Sequence, residues 1–399
     1  MPNWWKLGVE VRGRAESVSG LNGVADTRDT YYLHRLRLNS VITVRPWLKF
    51  TSQMQDSRTA GYDRHPVPFN MRDPVDLRQA YADIGIQGEQ RWALRVGRQP
   101  LVFGDMRLVS TSNWSNVGPN YDGVRLTHNA SGVRLDFFST LVVMPGEIFD
   151  KPRADRKLSG FYGTFDAKKW HATVETYTFW KSNLRAVDEG FHAGHMDVYT
   201  TGIRKVGKLP AGFDYNVEVA MQRGHISGDG LRAWFGHWEA GKRLLGAQRG
   251  PRLWLEHNYA SGDRHSGDGR RQAFEQLYPT PWNVVGRAVD FASRNLQEPL
   301  AGMEWQIARR WKLRSTMRGF WLVNGNDALY TLTGAVYARK PGAASTHVGE
   351  EAGGWAMYQV SNHLQLWVGY AHLFAGPFLK EAGRGSSVNY PFAVWTYTL

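Results

Sequence analysis

The chain has 399 residues, a formal charge of +13 and 42% hydrophobic residues. It has no run of about 18 apolar residues, which excludes a membrane-spanning helix, and no cysteine, which removes disulfide frameworks, thiol catalysis and Cys-based zinc sites together. Its Arg and Lys are dispersed over alternate positions and turns, without a basic helix, a Lys/Arg block or a nucleic-acid motif, so the charge points to anionic partners and away from nucleic acid. The opening residues MPNWWKLG lack a charged segment followed by an apolar one. The chain therefore reads as a mature form whose secretory signal has been removed.

Alternation with period 2 starts at once. Strand one, 5–16, sets Leu7, Val9 and Val11 against Glu10, Arg12, Arg14 and Glu16. After a polar stretch, strand two (31–44) sets Leu36, Leu38 and Ile42 against Arg35, Arg37 and Asn39; Arg45-Pro46 turns the chain into strand three, where Leu48, Phe50 and Met54 oppose Lys49, Thr51, Gln53 and Gln55. The long loop 58–76 follows. Strands four (77–87) and five (91–99) meet at Gly88-Glu89-Gln90, and 100–120 is long and irregular. Strands six (121–128) and seven (132–143) meet at Asn129-Ala130-Ser131, and strands eight and nine at Lys168-Lys169. Between these pairs lies loop 144–158, and 182–195 forms the next excursion. Strands ten and eleven meet at 207–212, a shorter loop covers 226–230, and strands twelve and thirteen meet at 245–251.

The stretch after strand thirteen is the longest excursion. From Ser261-Gly262-Asp263 to Asn295 it is rich in Gly, Asp, Arg and Pro, and a loop of that length usually has a role. Strands fourteen (299–309) and fifteen (312–323) turn at Arg310-Trp311, sixteen (347–360) and seventeen (363–374) at Ser361-Asn362, and strand eighteen (388–399) ends the chain. Residues 329–339 also look strand-like, but counting them as spanning would give an odd number and break the rhythm of long and short connections. Outer-membrane barrels have even strand numbers and short turns on one side, so this segment belongs in an extracellular loop as a local hairpin.

The expected fold is all-β: one transmembrane antiparallel barrel of about 18 strands over residues 1–399, with short periplasmic turns and long extracellular loops. Strands of about 9–14 residues suit a tilted crossing of the hydrocarbon layer better than a soluble propeller blade. Trp5, Trp47, Trp92, Trp170, Trp311 and Trp395 fall near the chain ends or short turns, as an interfacial girdle requires. A secreted polysaccharide-binding β protein is the soluble rival, and refolding without detergent would favour it.

The segments YASGD (259–263), FEQLYPT (274–280) and Gly286, Asp290 and Asn295 resemble the signature of the alginate-export family of outer-membrane proteins. So do VGRQPLVFGDMRLV (96–109), Trp114-Ser115-Asn116-Val117, Tyr121 to Leu126, LRQAYADI (77–84), QMQDSR (53–58) and GYAHLFAGPFL (369–379). The resemblance covers most of the chain in order. It implies an eighteen-strand barrel in the bacterial outer membrane, and its best-known members export the polyanion alginate through an Arg/Lys-lined pore. Two features depart: Trp282 stands where family sequences often have His, and Gly349-Glu350-Glu351-Ala352-Gly353 replaces a GxE-x-D pattern.

Strand parity places Arg12, Arg14, Arg35, Arg37, Lys49, Arg95, Arg125, Arg134, Arg314 and Arg318 in the lumen, with Glu10, Asp83, Asp136, Glu175, Asp214, Glu218, Glu256 and Glu304. Opposite charges on neighbouring strands can pair and stiffen the wall; unpaired Arg can instead form a ladder for sliding carboxylates. The basic lean of strands one to three marks that half-wall for anion contact. Val96→Arg is expected to be costly on the lipid face, and Gln55→Arg tolerated in the lumen. Loops 100–120 and 262–298 are long enough to fold inwards, the second as an outer gate or lining segment. Asp263, Asp268 and Asp290 are candidate Ca²⁺ ligands, with no other cofactor expected. The expected function is an outer-membrane porin for an anionic solute, an alginate-like polysaccharide or a small organic anion, with lipid and lipopolysaccharide as surroundings. The alternative is a barrel scaffold or partner-hosting subunit of an outer-membrane complex. His192, His195 and His265 lack catalytic spacing, so no enzyme is expected.

Overall fold

The computed structural model describes residues 2–64, 66–85, 91–146, 149–188, 191–244, 250–280 and 286–399. Eighteen strands form the wall. The first nine are β1 (Trp5–Ser19), β2 (Arg28–Arg45), β3 (Leu48–Ala60), β4 (Asp73–Gly85), β5 (Arg91–Gln99), β6 (Asn120–Ala130), β7 (Val133–Val143), β8 (Pro152–Ala167) and β9 (Ala172–Val187). The second nine are β10 (Ala193–Lys208), β11 (Phe213–Ile226), β12 (Asp229–Arg243), β13 (Arg252–Ala260), β14 (Leu296–Ala308), β15 (Trp311–Leu322), β16 (His347–Gln359), β17 (Leu364–Ala375) and β18 (Val388–Thr398). Each pairs antiparallel with its neighbour in sequence, and β1 closes the barrel on β18, with Glu10 opposite Thr398 and Gly13 opposite Trp395. The closed wall has no free edge.

Alternation decides which side faces lipid. On β1, Arg12, Arg14 and Glu16 are buried in the lumen while Leu7 faces out; on the far wall Leu255, Met317 and Val368 face out. Of the Trp expected in the girdle, Trp47, Trp92, Trp170, Trp311 and Trp395 are exposed near the short-turn rim or the chain ends, whereas Trp5 is half-buried and donates to Ser40 at 2.9 Å, and its neighbour Trp4 is exposed instead. Residues 329–338 form a small hairpin, Leu329–Tyr330 against Val336–Ala338, inside the loop between β15 and β16.

The excursion expected at 182–195 is mostly strand. β9 continues to Val187 and β10 starts at Ala193, with Ala193 opposite Val187 and Met196 opposite Asn183. Likewise β8 begins at Pro152, because residues 152–157, expected as loop, extend the pairing with Val142 and Val143. Their polar side chains hid the pattern: above the membrane neither strand face needs to be apolar. The turn expected at Gly88-Glu89-Gln90, most of the turn at 245–251, and Trp282 lie outside the described residues.

Two buried clusters occupy the loop-side half. One joins Leu101, Phe103, Leu108 and Val109 of loop 100–119 to Phe138, Tyr162, Tyr177 and Phe179 on the wall. The other gathers Phe291, Phe320, Leu329, Val348 and Leu373 with Phe378 and Leu379 of the short helix α1 (Pro377–Glu381). Part of the barrel interior is therefore packed by inserted loops.

Candidate pore

Loop 100–119 crosses the lumen and is tied at both ends. Phe103 stacks on Tyr162 at 4.7 Å and Phe138 at 5.2 Å. Near it, Arg107 donates to Glu256 at 3.0 Å and Asn258 at 3.2 Å, and Asp105 accepts from Asn216 at 2.9 Å. Burial alone would raise the Asp105 carboxyl, but Arg107 and Arg204 hold it at about 2. At the opposite wall four arginines grip the loop, three of them by its backbone. Arg12 donates to the carbonyls of Asn113 and Ser115, Arg35 to the same two carbonyls at 3.1 Å each, Arg14 to the Trp114 carbonyl, and Arg37 to the Asn113 side chain at 2.8 Å. Gly118 permits the fold-back: a Cβ there would run into the Thr111 carbonyl.

The second inserted segment, 261–280 and 286–295, is zipped to the first. Ser110 donates to the Tyr278 carbonyl at 2.7 Å, Tyr278 to Leu108 at 2.8 Å and Thr280 to Met106 at 2.9 Å. Glu275 anchors it to the wall through Lys181 at 2.8 Å. Burial would raise the Glu275 carboxyl, yet Lys181, Arg294 and Arg271 keep it near 2. At the far end the Glu351 carboxylate accepts the amides of Arg287 and Ala288 at 2.8–3.1 Å. That turn needs Gly286, whose φ of +117° is left-handed and whose Cβ would press on Glu351.

Between the inserted segments and the wall lies a chamber of about 370 Å³. Its walls carry Arg12, Arg35, Arg287, Arg314 and Arg318 against Glu10 and Glu256, an excess of five cations over two anions. Trp114, Trp355 and Trp367 line the same space. Arg287 sits over the Trp355 ring at 5.7 Å. Its pKa is drawn down to about 9, by burial first and then by Arg314 and Arg318, so it stays cationic at neutral pH in a neighbourhood crowded with positive charge.

The arginines read from parity do different things, and of them Arg12, Arg35, Arg314 and Arg318 line the chamber. Arg95 is paired with Asp83 at 2.7 Å and lies over Tyr81; Arg125 and Arg134 share Asp136 at 2.9 Å each. These stiffen the wall. Arg318 is held between Glu298 at 2.5 Å and Glu351 at 3.7 Å at the chamber edge, and Arg314 is 3.8 Å from Glu304. Lys49 is exposed at the short-turn end, opposite Asp83 in register. The half-wall of Arg12, Arg14, Arg35 and Arg37 is largely occupied by loop 100–119, with only Arg12 and Arg35 reaching the chamber. Gln55 is buried, accepting from Arg37 at 2.8 Å and donating to Asp73 at 3.2 Å. An arginine there would face Arg37, so the expected tolerance of Gln55→Arg does not stand. Parity missed Arg107 and Arg287 because both lie on loops, where alternation carries no signal.

The calcium reading is also corrected. Asp263 is buried and caps the amides of His265 and Gln272, Asp268 caps Arg270, and Asp290 lies on the far limb of the loop, in the field of Glu16 and Arg64. Turn chemistry uses the first two, and the three carboxylates do not meet. Among the described residues the group with ligand-like spacing is Asp73, Asp76 and Asp150, within 4.8 Å of one another. It is laced by Arg98 at 3.4 Å from Asp76 and by the Asp150 amide donating to Asp76.

No curated protein matches the chain in sequence. In structure it is similar to channels of Pseudomonas aeruginosa. OpdO matches with TM-score 0.65 and 11% identity over 99% of this chain and 97% of that one. OccK5 (OpdH) gives 0.65 and 10% over 99% and 98%. OccK2 (OpdF), solved in complex with glucuronate, gives 0.63 and 9% over 99% and 96%. At such identities the likeness shows the fold, an 18-strand barrel of the bacterial outer membrane. The sequence profile of the alginate export family matches residues 3–393, nearly the whole chain. This outer-membrane channel belongs to the alginate export family.

Proposed function

We propose that the channel passes small organic anions of sugar-acid size, through the chamber between the two inserted loops and the β14–β18 wall. The observation that carries this reading is the excess of arginine in a lumen narrowed by two tied loops. Arginine stays charged and forks onto carboxylates, and rings of fixed charge set pore selectivity. The chamber volume of about 370 Å³ suits one small solute rather than a polysaccharide strand moving through. The glucuronate complex of the structurally similar OccK2 supports a carboxylated sugar as one such solute. Reversal potentials in planar bilayers under a KCl gradient test the reading. Anion preference is expected, and Arg287→Gln with Arg314→Gln is expected to reduce it several-fold. A cation-selective pore, or passage of alginate oligomers as readily as of glucuronate, would overturn it; an electrically silent barrel would favour a scaffold that hosts a partner.

A further inference from the structure

We propose that Trp355 and Trp367 form a stacking subsite beside the arginines, so that the chamber favours ring-bearing carboxylates, sugar acids or aromatic acids, over open-chain acids of equal charge. The inference rests on the small-anion reading above. The two indoles project inwards from neighbouring strands β16 and β17, their ring centroids 4.6 Å apart, and both are only partly buried and line the chamber. Tryptophan at the lipid-facing rim is explained by the headgroup layer. These two face the lumen, where that explanation fails. Trp114 on the inserted loop extends the aromatic wall, 6.4 Å from Trp367.

The neighbours fix the indoles: both pack against the cluster of Ala371, Tyr390, Phe392 and Val394, and the surface they keep exposed lines the chamber. Opposite Trp355 in register stands Gly369, over which the Phe392 ring is packed. The indole N–H of Trp367 donates to Gln365 at 2.5 Å, which fixes the orientation of that ring. On the other side Arg314 is the register partner of Trp355 on β15, and Arg287 lies over the same ring. A carboxylate taken up by Arg314 and Arg287 therefore brings whatever carries it against the indole. A pyranose or benzene ring presents a flat face there; an open chain does not and must also be ordered to bind.

The test uses matched pairs in planar bilayers: glucuronate against gluconate, and benzoate against hexanoate, as relative permeabilities from bi-ionic reversal potentials. The wild-type channel is expected to favour the ring acid about fivefold in at least one pair; the pair with the larger ratio says whether the ring is a sugar or an arene. Trp355→Ala with Trp367→Ala should bring the ratio to about one while chloride-over-potassium selectivity is kept, and Trp355→Phe should retain most of the preference. Equal permeability of ring and open-chain acids in the wild type, or an unchanged ratio in the double variant, overturns the subsite and leaves the small-anion reading intact. Absence of anion selectivity in the wild type overturns both.

Discussion

Arg35 is almost wholly buried, and its guanidinium is divided between Glu10 at 2.6 Å and two carbonyls of loop 100–119. A cation spent in this way is a structural tie as well as a source of field. Removing it leaves the two carbonyls to Arg12 alone and Glu10 with only Arg37 at 3.7 Å, a loss of about 3 kcal/mol for a buried pair. Arg35→Gln is therefore expected to raise single-channel conductance and current noise, because the loop is released on the β1–β3 side. Arg95→Gln is the control: Arg95 pairs with Asp83 and lies over Tyr81 on the wall, so its current noise should match the wild type. Equal noise in the two variants would disprove the tether. Parity on β1 and β2 sets these residues on one face of a half-buried strand, and Arg12, Arg14, Arg35 and Arg37 are buried there. It could not predict their contacts, because those are decided by a loop more than 70 residues away in sequence, as in the Arg35–Asn113 bond.

The two inserted loops act as one element, joined by the backbone bonds between 106–110 and 278–280 and fixed by two carboxylates, Asp105 and Glu275. Both carboxyls are held near 2 in the folded chain, below the ordinary value of about 4. A depressed carboxyl stabilises the fold fully above its ordinary pKa and loses that contribution as pH falls through the folded value. Current noise should thus be constant from pH 7 to about pH 4 and rise as the pH falls from there towards 2. Asp105→Asn should show part of that noise already at neutral pH. A trace that stays quiet at pH 2.5 would mean that Phe103 and its aromatic stack hold the loop without the charges. Loop length pointed to insertion, and the structure has both loops inside the barrel. The anchors were illegible because Asp105, Arg107 and Glu275 sit in irregular chain, where neither period 2 nor period 3.6 applies. The same gap misplaced calcium: Asp263 and Asp268 looked like ligands in sequence, while their oxygens cap local amides.

At the scale of the barrel, the strand tally was legible because three independent signals agree: alternating faces, short turns every second connection and Trp at one set of strand ends. Where polar strand ends rise above the membrane, as in β8 to β10, the first signal vanishes and the sequence reading stopped short. The membrane layer itself can be tested on Val96, which is exposed on β5 directly opposite Val124, also exposed, on β6. Both side chains leave the wall on the side away from the buried Tyr121 and Gln99, so lipid tails are their solvent. An arginine on that face must drag its charge to the headgroups, at a cost of roughly 2–4 kcal/mol near the bilayer midplane and less towards the interfaces. Val96→Arg and Val124→Arg should each lower the unfolding free energy in lipid vesicles by about that amount, read from reversible denaturant titration, whereas Val96→Leu should change it little. If Val96→Arg instead refolds with wild-type stability, β5 is not lipid-facing at that depth. The inward assignment of Arg95, one residue away on the opposite face, would then fall with it.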